Sequence, residues 1–97
     1  MKQKHVFQFS WDAGNRNKNW VKHRVTDMES EEVFFDVFKK EYPDPVHSQE
    51  EMRKLLVGQT KRGRVLFIVY TIRNNAIRVI SARDLNKREV KLYEKEN

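Results

Sequence analysis

The sequence predicts an α+β domain, an antiparallel sheet with helices packed on one face. Three observations carry this. Arg64–Arg73 and Ala76–Arg83 are rich in β-branched and aromatic residues, and they flank Asn74-Asn75, a pair that tolerates the positive φ of a tight primed turn. Met52 to Thr60 is a further strand-like run, joined to the first two by Thr60-Lys-Arg-Gly63, so the three form a meander. Upstream, Thr26-Asp-Met-Glu29 has the form of a capping box opening a helix. The chain has 97 residues, 38% of them hydrophobic, enough for one small core, and residues 1–97 are read as a single domain.

The elements follow in order. Val6 to Trp11 alternates, with Phe7, Phe9 and Trp11 on one side, as in a half-buried strand. Asp12 is expected to cap a helix over Ala13 to His23. Gly14 and three Asn make that helix poor by propensity, so it depends on tertiary packing, and Trp20 is expected to anchor it under the sheet. The second helix runs from about Asp27 to Asp36, with Val33, Phe34 and Phe38 as its buried side and acidic residues at the positive end of its dipole. Tyr42-Pro-Asp-Pro45 leaves regular helix, and His47-Ser48 follows in a loop. In the meander, Leu55 and Val57 share one parity and Met52 and Leu56 the other. The 64–73 strand is apolar on both parities, which suits a central strand, and Gly63 suits a positive φ before it. A last helix is expected from about Asp84 or Asn86, where Asn86 and Glu89 resemble a capping box and Leu85, Leu92 and Tyr93 form an apolar side. The expected architecture is thus an N-terminal strand plus a C-terminal meander, two N-terminal helices packed on the sheet, and a C-terminal helix.

Composition narrows the function. There is no Cys and hence no disulfide or thiolate chemistry, which fits a cytoplasmic protein. No apolar run approaches the ~20 residues that span a bilayer, and the N-terminus has no signal-peptide pattern, so no membrane partner is expected. The net charge of +6 is unevenly spread: +5 over residues 1–24, −7 over 25–52 and +8 over 53–97. The basic parts suit nucleic acid or an acidic partner, or simply a solvated surface. His5, His23 and His47 are scattered, so neither a metal nor another cofactor is expected. With three Gly there is no phosphate-cradling loop.

What remains is a set of arginines near the hairpin: Arg62, Arg64, Arg73, Arg78, Arg83 and Arg88. Arginine holds phosphate through two parallel hydrogen bonds. Metal-free RNA cleavage must deprotonate and align the 2′-OH, stabilise charge on the phosphoryl oxygens, and protonate the leaving 5′-oxygen. Several Arg with a His or Tyr supply parts of that set. The same arginines suit binding of phosphate or an acidic partner without chemistry, and on the bare residues that is the favoured reading. Strict pairing around Asn74-Asn75 puts Arg73 opposite Ala76, Thr71 opposite Arg78 and Leu66 opposite Arg83. Arg78 and Arg83 are five apart, so regular alternation sends them to opposite faces unless a bulge intervenes or Arg83 lies past the strand end.

The chain resembles the BrnT family of toxins from bacterial type II toxin–antitoxin systems, from about Phe9 to Tyr93. The motifs are Trp11-Asp12; Asn19 with Lys22-His23; Val33-Phe34-Phe35-Asp36; His47-Ser48 leading to Glu51 and Arg53; Gly58-Gln-Thr60 with Gly63-Arg64; Val69-Tyr70-Thr71; Ile77-Arg78-Val-Ile-Ser-Ala-Arg83; and Glu89 with Tyr93. The resemblance implies a RelE-like fold and a ribonuclease that arrests translation. It also implies a cognate BrnA-type antitoxin with a ribbon-helix-helix part, operator DNA being bound only through the antitoxin complex. Carried onto this chain, the catalytic candidates are Arg64, Arg78, Arg83 and His23. Arg78 and Arg83 are assigned to phosphate and transition-state charge, Arg64 to positioning, and His23 either to acid–base work or to complementing a helix C-terminus. Arg62, Arg73, Arg88 and Tyr93 are candidate substrate contacts, Tyr93 also being suited to packing the last helix.

The sequence departs from the family at three places. Ile72 stands where relatives often have Glu, Arg24 where Gly is usual, and Asp27 where an aromatic precedes the second helix. Ile72 cannot move a proton, which keeps a second reading in view, a non-catalytic homologue that binds nucleic acid or the antitoxin. A RelE-fold toxin acting on a protein target such as gyrase is the third.

Overall fold

The structure is a computed structural model and describes residues 7–44 and 51–93. Its elements are α1 (Lys18–His23), α2 (Asp27–Val33), β1 (Lys40–Pro43), β2 (Arg53–Gln59), β3 (Val65–Arg73) and β4 (Ala76–Asp84), then a 3₁₀ turn at Val90–Tyr93. The four strands form one antiparallel sheet in chain order. The α+β expectation holds, with β2 and β3 central.

Asn74 and Asn75 both take positive φ (51° and 65°), as a primed two-residue turn requires. Arg73 pairs with Ala76 and Thr71 with Arg78, as expected. Beyond that the register shifts: Tyr70 pairs with Val79 but Val69 with Ser81, so Ile80 is a bulge residue without a partner in the register. In consequence Leu66 lies opposite Asp84 and Phe67 opposite Arg83, a correction to the strict pairing.

One face of the sheet carries the core. Leu56, Leu66, Ile68, Tyr70, Ile77, Val79 and Ala82 pack with Val25, Val33 and Phe34 from the helical side, and Phe7, Phe9 and Trp11 pack against this cluster. Phe34 meets Phe9 and Tyr70 edge-on, with ring centroids 5.3 and 5.0 Å apart. Gly58 lets α2 approach β2, because a Cβ there would lie 2.7 Å from Val33 Cγ1. Thr26 and Glu29 form the expected capping box.

Several expected elements differ. Among the described residues the N-terminal strand is a parallel bridge between Phe9 and Ile77, flanked by the bonds Ile77 N–H to Gln8 O and Ser10 N–H to Ile77 O, and Val6 lies outside them. Farther along β4, side chains take over its edge: Asn15 donates to Val79 O, and Asn19 accepts from Ala82 N–H. The first helix starts at Lys18 rather than Ala13. Asp12 is not its cap; its carboxylate accepts from Gly14 N–H in a turn, and Asn17 is the cap residue. Asn19, not Trp20, is the inward residue of α1, 1% exposed against 40% for Trp20. Phe38 is exposed, and the second helix ends at Val33. The stretch after it forms β1 on the edge of the sheet, an element the pattern did not announce. Among the described residues the last helix is a single 3₁₀ turn, although Asn86 and Glu89 do exchange their reciprocal hydrogen bonds. His47-Ser48 lies outside the described residues.

Candidate active site

Register and alternation give the sheet a second face, turned away from α1 and α2. Arg53, Leu55, Val57 and Gln59 project from β2; Val65, Phe67, Val69, Thr71 and Arg73 from β3; and Ala76, Arg78 and Arg83 from β4. The 3₁₀ turn packs near β2 on this side, with the Tyr42 hydroxyl donating to Leu92 O at 2.7 Å. Because Ile80 absorbs one residue of alternation, Arg78 and Arg83 stand on the same face despite their odd spacing. Their cross-strand partners are four residues apart on β3, which separates them by about 13 Å.

Each of these arginines is held by a carboxylate. Arg78 donates from Nη1 and Nη2 to Asp12 at 2.8 and 3.1 Å. Arg78 is also crowded by the turn that carries Asp12, since a Cβ on Gly14 would lie 2.9 Å from Arg78 Nη2. Arg83 donates to both oxygens of Glu89 at 2.7 and 2.8 Å, and its guanidinium lies 4.4 Å over the Phe67 ring. Arg73 grips Glu51 through Nε and Nη2, both at 2.9 Å. The Arg78 guanidinium, with the Gly14 N–H, holds the Asp12 carboxyl below the usual carboxylate range. Arg73 does the same for Glu51, with the charges of Arg53 and Arg78 adding to it. Arg83 does it for Glu89.

Arg64 is placed differently. It precedes β3 on the helical side and bonds Asp84 at 2.7 and 2.9 Å, Arg24 O at 2.8 Å, His23 O at 3.2 Å and both oxygens of Glu29 at 3.3 Å. One guanidinium thus ties the end of α1, the start of α2 and the end of β4. His23 stands in the same group, its charge adding to Arg64 in lowering the Asp84 carboxyl. Arg83 reaches this group from the other face, donating to Asp84 O at 3.1 Å. Arg62 is exposed in the turn before β3, and Arg88 is exposed beside Glu89. The Tyr93 hydroxyl donates to Asp36, and burial followed by the Asp36 carboxylate pushes Tyr93 up to about 12.

The eight sequence candidates therefore divide. Arg73, Arg78 and Arg83 share the face away from the helices, while Arg64 and His23 gather around Asp84 on the helical side. Arg62, Arg88 and Tyr93 lie near the end of the sheet where Arg83 emerges. Sequence reasoning missed the carboxylates Asp12, Glu51 and Glu89 as partners of these cations, and missed Arg53 as a neighbour of Arg73 and Arg78. Glu51 and Arg53 were visible in the motif that follows His47-Ser48, but no spacing rule joined them to the hairpin. Ile72 is on the helical side, beside Lys54, Glu41 and Tyr70, and faces away from Arg78 and Arg83. Among the described residues no three His, Cys, Asp or Glu gather as a metal-binding group, and no helix is long and apolar enough to cross a membrane.

No protein of curated function matches the chain. A family model described as the ribonuclease toxin BrnT of type II toxin-antitoxin systems matches residues 11–89. That span holds the Trp11-Asp12 turn, both helices, the whole sheet and Glu89. The chain belongs to the BrnT family of type II toxin–antitoxin ribonuclease toxins.

Proposed function

We propose that the chain, as one RelE-like toxin domain, cleaves RNA on the sheet face that carries Arg78 and Arg83, without a metal, and so inhibits translation. The 2′-oxygen loses its proton and bonds to the adjacent phosphorus, while the bond from phosphorus to the 5′-oxygen breaks and that oxygen takes up a proton. Arg78 and Arg83 bind the phosphodiester and offset the charge that grows on its oxygens. His23 stands with Arg64 and Asp84 on the helical side, at the end of the sheet where Arg83 donates to the Asp84 main-chain oxygen, and it is the acid–base candidate among the residues singled out from the sequence. Arg64 positions the elements that carry His23. The supporting observation is the Ile80 bulge, which turns both arginines to one accessible face.

The inhibitor in this reading is a cognate BrnA-type antitoxin with a ribbon-helix-helix part, and operator DNA is engaged through that complex. Arg62, Arg73, Arg88 and Tyr93 would add substrate contacts, and the site of action is the cytoplasm.

The test is RNA cleavage by purified protein with EDTA present. Arg78→Ala and Arg83→Ala should each lower the rate about 100-fold or more, on the scale of removing one transition-state donor. Cleavage equal in wild type and variants, or abolished by EDTA, overturns the mechanism. One observation favours a second reading: Arg73, Arg78 and Arg83 already have carboxylate partners. A homologue that binds RNA or antitoxin without chemistry would show salt-sensitive binding and no cleavage products.

A further inference from the structure

We propose that Arg53, Arg73 and Arg78 form a phosphate-binding row, in which Asp12 and Glu51 occupy the places that RNA phosphates take in the complex. The proposal rests on the ribonuclease reading for its ligand and deepens it by assigning the subsites. The register sets the row. Thr71 pairs with Arg53 on one side and Arg78 on the other, so the two arginines flank it about 10 Å apart, and Arg73 follows about 7 Å along β3. Thr71 between them is covered, 2% exposed, and its hydroxyl is spent on Met52 O at 2.7 Å, so the polar groups offered along this row are the arginines.

The anions in the row are of the right kind. Asp12 and Glu51 each present two oxygens to one guanidinium fork, the geometry in which a phosphodiester also binds arginine. Glu51 is felt by Arg73, Arg53 and Arg78 together, and Asp12 by Arg78 and Arg73, so two carboxylates interleave three cations in one electrostatic unit. Neither pair is sealed. In the first, the Arg78 side chain is 17% exposed but Asp12 is 59% exposed; in the second, Arg73 is the open member at 54%. Open pairs of this kind hold weakly, and a polyanion bringing several phosphates at once displaces them. Arg64 is the contrast, since two backbone carbonyls and two carboxylates on three elements fix it.

The experiment is fluorescence anisotropy of the full chain with a labelled single-stranded RNA whose riboses are 2′-O-methylated, so that it binds without being cut. Cleavage of unmodified RNA is followed in parallel. Asp12→Asn keeps an oxygen for the Gly14 N–H while removing the competing charge, and it should bind about fivefold more tightly. Glu51→Gln should tighten binding in the same sense and covers the case in which Asp12→Asn melts early by circular dichroism. Arg53→Ala should weaken binding and reduce the slope of log K against log salt by about 0.7, the loss of one single-strand phosphate contact. Carboxylate variants that bind no better than wild type, or an Arg53→Ala slope equal to wild type, overturn the row. If wild type still cleaves in that case, the ribonuclease reading stands without it. If binding follows the expected pattern and wild type does not cleave, the row stands and the ribonuclease reading falls.

Discussion

Asp84 accepts two hydrogen bonds from Arg64, Nε to Oδ1 at 2.7 Å and Nη2 to Oδ2 at 2.9 Å, and this pair closes the end of β4 onto the helices. The remaining Arg64 donors go to Glu29 and to the carbonyls of His23 and Arg24. Lysine cannot reproduce that fork, and alanine removes the donor shared by the Asp84 carboxylate and two carbonyls and leaves Glu29 with its Thr26 bonds alone. Arg64→Ala should therefore cost about 2 kcal/mol, seen as a fall in Tm of about 10 °C. Arg64→Lys should recover less than half of it. A melt unchanged by either variant removes the structural role assigned to Arg64.

The same pairs set the acid limit of stability. The Arg64 guanidinium lowers the Asp84 carboxyl, and Arg83 lowers Glu89. The unfolded chain therefore binds more protons than the native one in acid. The stabilisation is complete above the ordinary carboxylate range near pH 4 and is lost as pH falls through the lower native values. Asp84→Asn should melt at lower temperature at pH 7 and lose less Tm than wild type between about pH 5 and 2. A parallel pair of Tm–pH curves would contradict the linkage.

At the alkaline end the sign reverses. Burial and then Asp36 push Tyr93 up to about 12, so the native state holds a proton that the unfolded chain releases near pH 10. That stabilisation is present below pH 10 and is lost as pH rises toward 12. Tyr93→Phe should shallow the fall in Tm across that window. It will not abolish the fall, because Tyr70 is raised as well, by burial first and then by its hydrogen bond to Glu41.

Local rules made the hairpin turn, the two reciprocal Ser/Thr/Asn–Glu caps and the apolar central strand legible, because each depends on residues close in sequence. What was not legible depends on distant partners. Ile80-Ser81 carries no mark of a bulge, and the register that creates it is set by β3. Trp20 is the larger residue of α1, yet Asn19 goes inward because the edge of β4 offers it the Ala82 N–H. The N-terminal run stops pairing after Ser10 because Asn15 and Asn19 take the next positions on that edge. β1 exists through its pairing with β2 and through Tyr70, whose hydroxyl reaches Glu41 at 2.9 Å. In the candidate site, the arginines were legible as a type and their partition between two faces was not.

Arg24 tests a departure that the sequence did reveal. It is the C-cap of α1 with φ 57°, and its N–H bonds back to Asn19 O and Trp20 O. Glycine takes that conformation about 1 kcal/mol more readily. The Arg24 guanidinium recovers part of the difference by lying 5.4 Å from the Trp20 ring, worth about 0.5 kcal/mol at an exposed site. Arg24→Gly should then raise Tm by a few degrees, since the carbonyl that Arg64 uses is kept. A lower Tm would mean that the stacked guanidinium outweighs the backbone strain.

Position 72 separates the two faces as sites of chemistry. Ile72 pairs with Ile77 and lines a cavity of about 260 Å³ with Lys54, Glu41, Tyr70 and Phe7, on the side of the sheet that carries the core. A carboxylate placed there faces Lys54 and Glu41 and has the sheet between it and Arg78. Ile72 is 55% exposed, so Ile72→Glu should fold with little change in Tm. If cleavage occurs at Arg78 and Arg83, the variant should cut RNA at a rate within about twofold of wild type, since it gains no base in reach of the phosphate. A gain of about 100-fold, the scale of a well-placed general base, would move the reaction to the Glu41–Lys54–Tyr70 cavity.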